Sequence, residues 1–284
     1  MGLVLASGLS VHSGAAVAAT LFPYAGIWSV VAIRLTVGAL LLLAVCRPAL
    51  RGRSRADWAV IGAFGLALTA MNTVFYEAIE RIPLGPAVTI EVLGPLTLSV
   101  IAARRRSAWL WAGLAVAGVL LLGRGGFDRL NWLGVVLALA AGVCWASYIV
   151  LSSRAGARFP KADGLALAMG VAAVLSLPLG IAGAGPGLLE PRVLVLGCAV
   201  AVLSSVLPYS LELIALRRLP TATFAVLMSL GPAIAAGAGW AILDQALNAT
   251  ELAAIVLVVA ASIGAVQTAP APRPAAKEPV LVGE

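Results

Sequence analysis

The chain has 284 residues, of which 62% are hydrophobic and 11% are charged, and its formal net charge is +7. A soluble domain is typically about a quarter charged and cannot bury this much apolar surface, so the solvent must be lipid. The composition therefore predicts an all-α integral membrane protein. It excludes a separate soluble domain, because ten spanning helices of roughly 20 residues use most of the chain.

Apolar runs bounded by charged residues, proline or glycine predict ten spans in chain order. Spans 1 to 5 are predicted at 3–21, 27–46, 58–79, 84–103 and 109–123. Spans 6 to 10 are predicted at 132–153, 165–183, 193–215, 221–242 and 251–268. No positive residue precedes the first run, so it is interpreted as a spanning helix and not as a signal peptide.

The loops predict the orientation of the chain. Of the 19 Lys and Arg residues, 14 lie in the loops and tail on the side of the termini and four lie on the other side. Basic residues accumulate in cytoplasmic loops, so both termini are predicted to be cytoplasmic in a bacterial-type inner membrane. The basic run 104–106 is then a membrane anchor, and no nucleic-acid partner is predicted. The proline-containing tail 269–284 is predicted to be disordered.

The two halves of the chain are related by a shift of 137 positions. This shift superimposes Phe22-Pro23 on Phe159-Pro160, Ala78 on Ala215, Arg81 on Arg218, Pro83 on Pro220, and Gly94-Pro95 on Gly231-Pro232. Each half has five spans, so the second half enters the membrane from the opposite side. The pattern predicts two inverted five-helix repeats, residues 1–124 and 125–268, an architecture typical of alternating-access transporters.

The duplicated Gly-Pro pairs, Gly94-Pro95 and Gly231-Pro232, fall near the middle of spans 4 and 9. Proline removes a backbone donor and crowds the preceding turn, so both helices are predicted to bend there. Two interpretations are open. The pairs are either hinges beside a central site or static bends that serve packing.

Three ionisable side chains fall deep inside predicted spans. Arg34 and Glu91 are each the eighth residue from the same end of spans 2 and 4, so they lie at similar depth. They either form a buried ion pair or present opposite charges to a substrate or proton. His12, the only histidine, either relays protons or bonds to a neighbouring helix.

Other polar side chains recur at helical spacing, which predicts that one face of each helix contacts either polar partners or water. These are Thr69, Asn72 and Tyr76 on span 3, Trp145, Tyr148 and Ser152 on span 6, and Ser205, Tyr209 and Glu212 on span 8. Trp145 and Tyr209 lie deep enough to be either cavity walls or ordinary packing residues. Glu77 and Glu212 lie near span ends, and we expect them to reach towards the interface or to pair with loop arginines.

Several motifs resemble the threonine/homoserine exporters, which belong to the EamA-type drug/metabolite transporters. They are Met71–Tyr76 (MNTVFY), Pro83–Gly85 with Glu91–Leu96 (EVLGPL), Cys144–Ile149 (CWASYI), and Leu207–Glu212 (LPYSLE) followed by Arg218–Thr221. The resemblance extends from about residue 10 to residue 268. It implies ten helices, cytoplasmic termini, a cavity lined mainly by spans 3, 4, 8 and 9, and proton-driven export of small amino acids.

The chain departs from this pattern in two places. The exporter pattern carries a Glu where this chain has Gly231, so a second acidic group is missing from the cavity region and the substrate specificity is affected. After span 9 the chain has Leu243–Ala246 (LDQA) where the family usually shows a Gly-Glu pair, which changes an outer loop. The leading hypothesis is a secondary exporter of a small zwitterion, in which one chain suffices as a monomer and a dimer remains possible.

Other functions stay open to different degrees. A broad drug exporter or an uptake carrier of the same superfamily remains an alternative. A membrane-embedded enzyme is a remote one, because no nucleophile–base pair or Gly-x-Ser-x-Gly elbow is found. No phosphate-binding loop, cofactor site or metal-ligand spacing is found either.

Overall fold

The computed structural model describes residues 1–103, 106–124, 131–216, 219 and 221–268. All regular secondary structure in these ranges is helical. The predictions for Arg104, Arg105, Arg218, Pro220 and the tail 269–284 fall on residues outside this description.

The ten predicted spans are found within a few residues of their predicted limits. Seven are single helices: Gly2–Ala25, Ile27–Cys46, Arg55–Arg81, Arg106–Arg124, Trp132–Gly156, Asp163–Ala182 and Ala249–Gln267. Three are interrupted: span 4 (Leu84–Glu91 and Leu93–Ala103), span 8 (Pro191–Ala201, a π turn Val202–Val206, and Leu207–Leu216) and span 9 (Thr221–Met228 and Gly231–Leu243). Eight spans are long and apolar enough to cross a membrane, and the apolar parts of spans 5 and 8 are shorter.

Reciprocal capping boxes fix where two of the described helices begin. Ser54 and Asp57 form a reciprocal capping box at the start of span 3, and Asn248 and Glu251 form another at the start of span 10. Each box satisfies backbone N–H groups that the first helical turn leaves without partners. Span 3 therefore begins three residues before its predicted start, because the hydrophobic run alone does not reveal the cap.

The interruptions in spans 4 and 9 fall beside the predicted Gly-Pro pairs. The first helices of these spans end at Glu91 and Met228, which are 137 residues apart, like the pairs themselves. Pro95 and Pro232 have no N–H for the carbonyls four residues back, which are those of Glu91 and Met228. Both helices are thus interrupted where the bends were predicted.

The spans pack in pairs around the centre of the bundle. Span 3 packs along span 6, span 2 along span 7, and span 5 along span 10, while span 1 contacts spans 8 and 9. Small residues let the interrupted helices approach their neighbours closely, as is typical inside membranes. A Cβ added to Gly94 would overlap the carbonyl of Gly142 on span 6, and one added to Gly85 would lie 2.9 Å from Cβ of Ala236 on span 9.

The bundle is tightly closed at the end opposite to the start of span 1. The Phe22 and Tyr76 rings lie 5.5 Å apart there. Spans 4 and 9 are joined at the same end by a hydrogen bond of 2.9 Å from the Leu84 N–H to Gln245 Oε1. This bond satisfies a backbone donor at the beginning of span 4, so it also caps that helix.

We predict that Gly142→Ala destabilises the bundle. The added Cβ would lie 2.6 Å from the Glu91 carbonyl oxygen, so spans 4 and 6 must separate. Overpacking of this kind costs about 1–3 kcal/mol, although alanine is the better helix former. Thermal unfolding of the purified protein in detergent should show a lower Tm. Gly113→Ala is the matched control, because no atom lies within 4 Å of its added Cβ; equal Tm values for both variants would contradict the prediction.

Candidate functional site

A cavity of about 200 Å³ lies in the middle of the bundle. Its walls come from spans 1, 2, 3, 4, 6, 8 and 9, and most of its surface is apolar. Val4 and Glu212 line it towards the end where span 1 begins, whereas Phe22, Tyr76 and Leu84 close the opposite end. The cavity therefore extends from the centre towards the side of the N-terminus.

The structure brings most of the predicted site residues to this cavity. The residues on its wall are His12, Arg34, Asn72, Glu91, Trp145, Tyr148 and Gly231. Tyr76 is buried behind the wall and contacts Arg34. Gly94, Pro95 and Pro232 lie outside the wall, and the side chain of Tyr209 lies outside the described part of the structure.

Glu91 is the last residue of the first helix of span 4, and it is 9% exposed. Its carboxylate makes no ion pair or hydrogen bond with the side chains and backbone groups that the structure describes. A carboxylate in this position is costly unless a cation or a proton neutralises it. Glu91 is therefore the group on the cavity wall that is best placed to take up a cationic ligand.

Arg34 is held by two other spans. Its Nη1 donates to the Tyr76 hydroxyl at 3.0 Å, and its Nη2 donates to the Ser204 carbonyl at 3.2 Å. The guanidinium carbon also lies 5.4 Å from the centre of the Tyr76 ring. The buried ion pair proposed between Arg34 and Glu91 is absent from the described contacts. Arg34 Nε is buried and has no hydrogen-bond partner there.

The π turn of span 8 explains why Arg34 donates to the backbone of that span. Leu207 N–H bonds to the Val202 carbonyl, one residue further back than in an α-helix. Pro208 has no N–H for the Ser204 carbonyl four residues before it. Two side chains from other spans satisfy the released carbonyls: Ser10 Oγ donates to Leu203 at 2.6 Å, and Arg34 donates to Ser204. Such π turns are frequent at functional sites.

Glu212 lines the cavity and accepts a hydrogen bond of 2.7 Å from Ser7 Oγ on span 1. The neighbouring loop arginines that were expected to pair with it, Arg217 and Arg218, lie outside the described residues. The signal that points to this position is the stripe that Glu212 shares with Ser205 and Tyr209. Proximity to the end of a span is the weaker guide. Glu77 pairs as expected, at 2.6 Å from Arg81.

Three of the other polar side chains are held in place by contacts with the protein. Asn72 uses its amide N–H₂ to donate to the Leu68 carbonyl at 2.8 Å, and Thr69 donates to the Gly65 carbonyl at 2.9 Å. The Tyr148 ring packs 5.3 Å from the ring of Phe64. Asn72 and Tyr148 are therefore fixed wall residues that combine an apolar surface with a polar edge.

His12 is on the wall, but its Nδ1 is buried without a hydrogen-bond partner among the described residues. The expected bond from this nitrogen to a neighbouring helix is thus not found. The other ring nitrogen, Nε2, faces Gly231 of span 9. Within the described ranges, no group of three His, Cys, Asp or Glu side chains is arranged to hold a metal ion.

Comparison with known proteins confirms the resemblance that the motifs indicate. The sequence profile of the EamA-like transporter family matches residues 132–267. The threonine/homoserine exporter RhtA of Salmonella typhimurium (strain SL1344) is 42% identical over 91% of this chain and 88% of its own length. The exporter of the same name from Escherichia coli (strain K12) is 40% identical over 94% and 90%.

The fold also has a counterpart among solved structures. One crystal structure has a TM-score of 0.66 at 20% sequence identity, covering 94% of this chain and 95% of that one. At this identity the likeness concerns the fold alone.

We predict that Arg34 and Pro208 are energetically coupled. Arg34→Met leaves the Ser204 carbonyl without its side-chain donor and should lower the stability by about 1–3 kcal/mol. Pro208→Ala supplies a backbone N–H that can bond to the same carbonyl, so Arg34→Met should cost less in that background. A double-mutant cycle measured by thermal unfolding should give a coupling of about 1 kcal/mol. Additive effects of the two substitutions would contradict this account of the π turn.

Proposed function

The chain belongs to the EamA-like transporter family, and from this premise we propose that it exports small amino acids of the threonine/homoserine type, or closely related metabolites, by proton-coupled alternating access. It is a multi-pass membrane transporter and not an enzyme. The observation that carries the proposal is the unpaired Glu91 carboxylate in a cavity that also contains Arg34. The relatives named threonine/homoserine exporters support the substrate class.

The shape and charge of the cavity favour a small zwitterion. Glu91 offers a carboxylate to an ammonium group, and Arg34 on the same wall carries the opposite charge for a substrate carboxylate. The rest of the wall is largely apolar, which suits a short side chain. Pockets for drug-sized ligands measure roughly 300–1,000 Å³, so a cavity of about 200 Å³ favours an amino acid over a bulky drug.

The internal symmetry supports alternating access. Spans 4 and 9 are interrupted at positions 137 residues apart, and they contact each other at the closed end of the bundle. Span 3 packs on span 6 much as span 8 packs on span 1, which is the exchange expected of two repeats. We therefore propose two inverted repeats, 1–124 and 125–268, that rock about the cavity.

The charge distribution assigns the sides of the membrane. The basic loops lie on the side of the termini, so that side is taken as cytoplasmic. The cavity extends towards the same side, and the structure then corresponds to a conformation that receives substrate from the cytoplasm. One chain contains both halves, so a monomer is sufficient for this cycle.

Efflux from proteoliposomes tests the function directly. The purified protein is reconstituted, the vesicles are loaded with labelled threonine, homoserine and other amino acids, and a proton gradient is imposed. We expect gradient-dependent loss of a small amino acid. If inserted, folded protein moves no amino acid but protects cells against lipophilic cations, the proposal is wrong and a drug exporter is the better assignment.

We predict that Glu91→Gln abolishes gradient-driven transport and leaves the fold intact. The amide keeps the size of the side chain but carries neither a proton nor a charge for an ammonium group. Efflux should fall to the level of empty vesicles, while the amount of protein in the membrane stays normal. Glu80→Gln, the same change at an exposed residue outside the cavity, is the control. Wild-type efflux from Glu91→Gln would remove this residue from the mechanism.

We predict that Pro95→Ala and Pro232→Ala slow turnover more than they weaken substrate binding. Each alanine restores a backbone donor and straightens an interrupted span on which rocking depends. Turnover comes from efflux rates, and binding from the ligand-induced shift in Tm. Pro178→Ala is the control, because Pro178 lies inside the continuous helix of span 7. Weaker binding at unchanged turnover would favour static bends.

A further inference from the structure

A groove with a volume of about 640 Å³ lies on the outer surface of the bundle between spans 4 and 6. Its walls are the second helix of span 4, Leu93–Ala103, and the part of span 6 from Leu139 to Arg154. Ile101 and Val143 on these walls are 61% and 66% exposed. No described residue lines both this groove and the central cavity, so the groove is a separate surface that opens to the outside of the bundle.

The groove extends through one half of the predicted membrane. Its deep part lies beside Gly94, whose backbone packs against Gly142 at the level of Glu91. Its other end is Arg154, in the last turn of span 6. The lining part of span 6, residues 139–154, measures about 22 Å at a rise of about 1.5 Å per residue, and half of the hydrocarbon core of a bilayer is about 15 Å. The groove therefore matches one leaflet with its interface, on the side of the termini.

The groove is mostly apolar and carries its charge at this end. Ser147 Oγ donates to the Val143 carbonyl of its own helix at 3.0 Å, so its proton is already used. Arg154 is the only charged residue among the described residues that line the groove. It is exposed, and it makes no hydrogen bond or ion pair with other described groups. A long apolar surface thus ends at an unpaired cation at the level of the interface.

These features fit an anionic lipid better than a zwitterionic solute. A zwitterion brings two opposite charges, whereas the described groove has one charge and an apolar wall. A glycerophospholipid brings an acyl chain for the wall and a phosphate for the guanidinium, which binds phosphate through paired N–H groups. Basic pockets between membrane helices on the cytoplasmic side are typical sites for anionic headgroups. The loops of the same side add to the attraction, because most Lys and Arg residues of the chain lie there.

We propose that this groove is a binding site for an anionic glycerophospholipid of the leaflet on the side of the termini. One acyl chain lies along the groove between spans 4 and 6, and the phosphate binds Arg154. The chain packs against the helix Leu93–Ala103, which follows the interruption after Glu91. The lipid thereby supports one side of an interrupted span. The proposal goes beyond the proposed function and does not depend on which solute the protein transports.

Native mass spectrometry of the purified full-length protein tests the headgroup contact. Phosphatidylglycerol is titrated against the wild-type protein, Arg154→Gln and Arg154→Lys, and the fraction with bound lipid is measured. Arg154→Gln should need about fivefold more lipid for half occupancy, the factor that corresponds to about 1 kcal/mol per basic residue near an anionic lipid surface. Arg154→Lys keeps the charge and should stay close to the wild-type protein. An unchanged titration in Arg154→Gln would overturn the assignment of the phosphate.

Arg51→Gln is the matched control for this change. Arg51 is exposed in a loop on the same side of the membrane and does not line the groove. Its substitution should leave the titration unchanged. Equal weakening in both glutamine variants would mean that the lipid responds to the overall charge of the surface, and the site would be refuted. Glycerol 3-phosphate, which has no acyl chain, should not displace the lipid; displacement would identify a site for free phosphate instead.

Photocrosslinking tests where the acyl chain lies. Phosphatidylglycerol with a diazirine in its acyl chain is reconstituted with the protein and irradiated, and the labelled residues are identified by mass spectrometry. We expect more label on Ile101 and Val143 than on Leu40 and Val45, which are 63% and 78% exposed in the corresponding half of span 2 but lie outside the groove. Even labelling of the two pairs would indicate ordinary surrounding lipid and overturn the proposal. A protein dimer that carries no lipid would assign the groove to a second copy of the chain.

Discussion

The structure depends on one constraint, which is that backbone polar groups inside a bilayer must find partners within the protein. Seven described spans run as continuous helices, although Pro23 in span 1 and Pro178 in span 7 each withhold one backbone donor. Spans 4, 8 and 9 are interrupted, and Pro95, Pro208 and Pro232 there each lack the N–H that would satisfy a carbonyl one turn earlier. All three interruptions lie at the depth of the cavity, so the interrupted helices are concentrated around the candidate site.

The side chains that satisfy the released carbonyls of span 8 determine the charge of the cavity. Its released carbonyls are met by Ser10 and by Arg34, which also holds Tyr76. The described hydrogen bonds of Arg34 thereby go to Tyr76 and to the backbone of span 8, and none of them goes to Glu91. Among the described residues, the Glu91 carboxylate has no hydrogen-bond or ion-pair partner, and a proton or an ammonium group would neutralise it.

The closed end of the bundle follows from contacts of a different kind. Gly85 packs against Ala236, and Gln245 caps the beginning of span 4, so the two interrupted spans meet beyond the cavity. Small residues and one hydrogen bond separate more readily than a broad interface of large side chains. A pair of spans that is interrupted beside the cavity and packed at its end through small residues fits the proposed alternating access.

The sequence by itself determined the elements of this fold. Each span is encoded by local hydrophobicity, and the interruptions of spans 4 and 9 are encoded by Gly-Pro pairs, so both were predicted without knowledge of their neighbours. Most cavity residues were also recognisable, because a polar side chain inside a span must face the protein interior. Only the tertiary structure decided which partner each one takes. Arg34 and Glu91 lie at equal depth, yet Arg34 donates to the Ser204 carbonyl of span 8. That carbonyl lacks a backbone donor because of Pro208, which is distant from Arg34 in the chain. The Ser7 partner of Glu212 could not be predicted for the same reason. Ser7 lies on another span, and helical periodicity specifies the face of a helix but not what lies opposite to it.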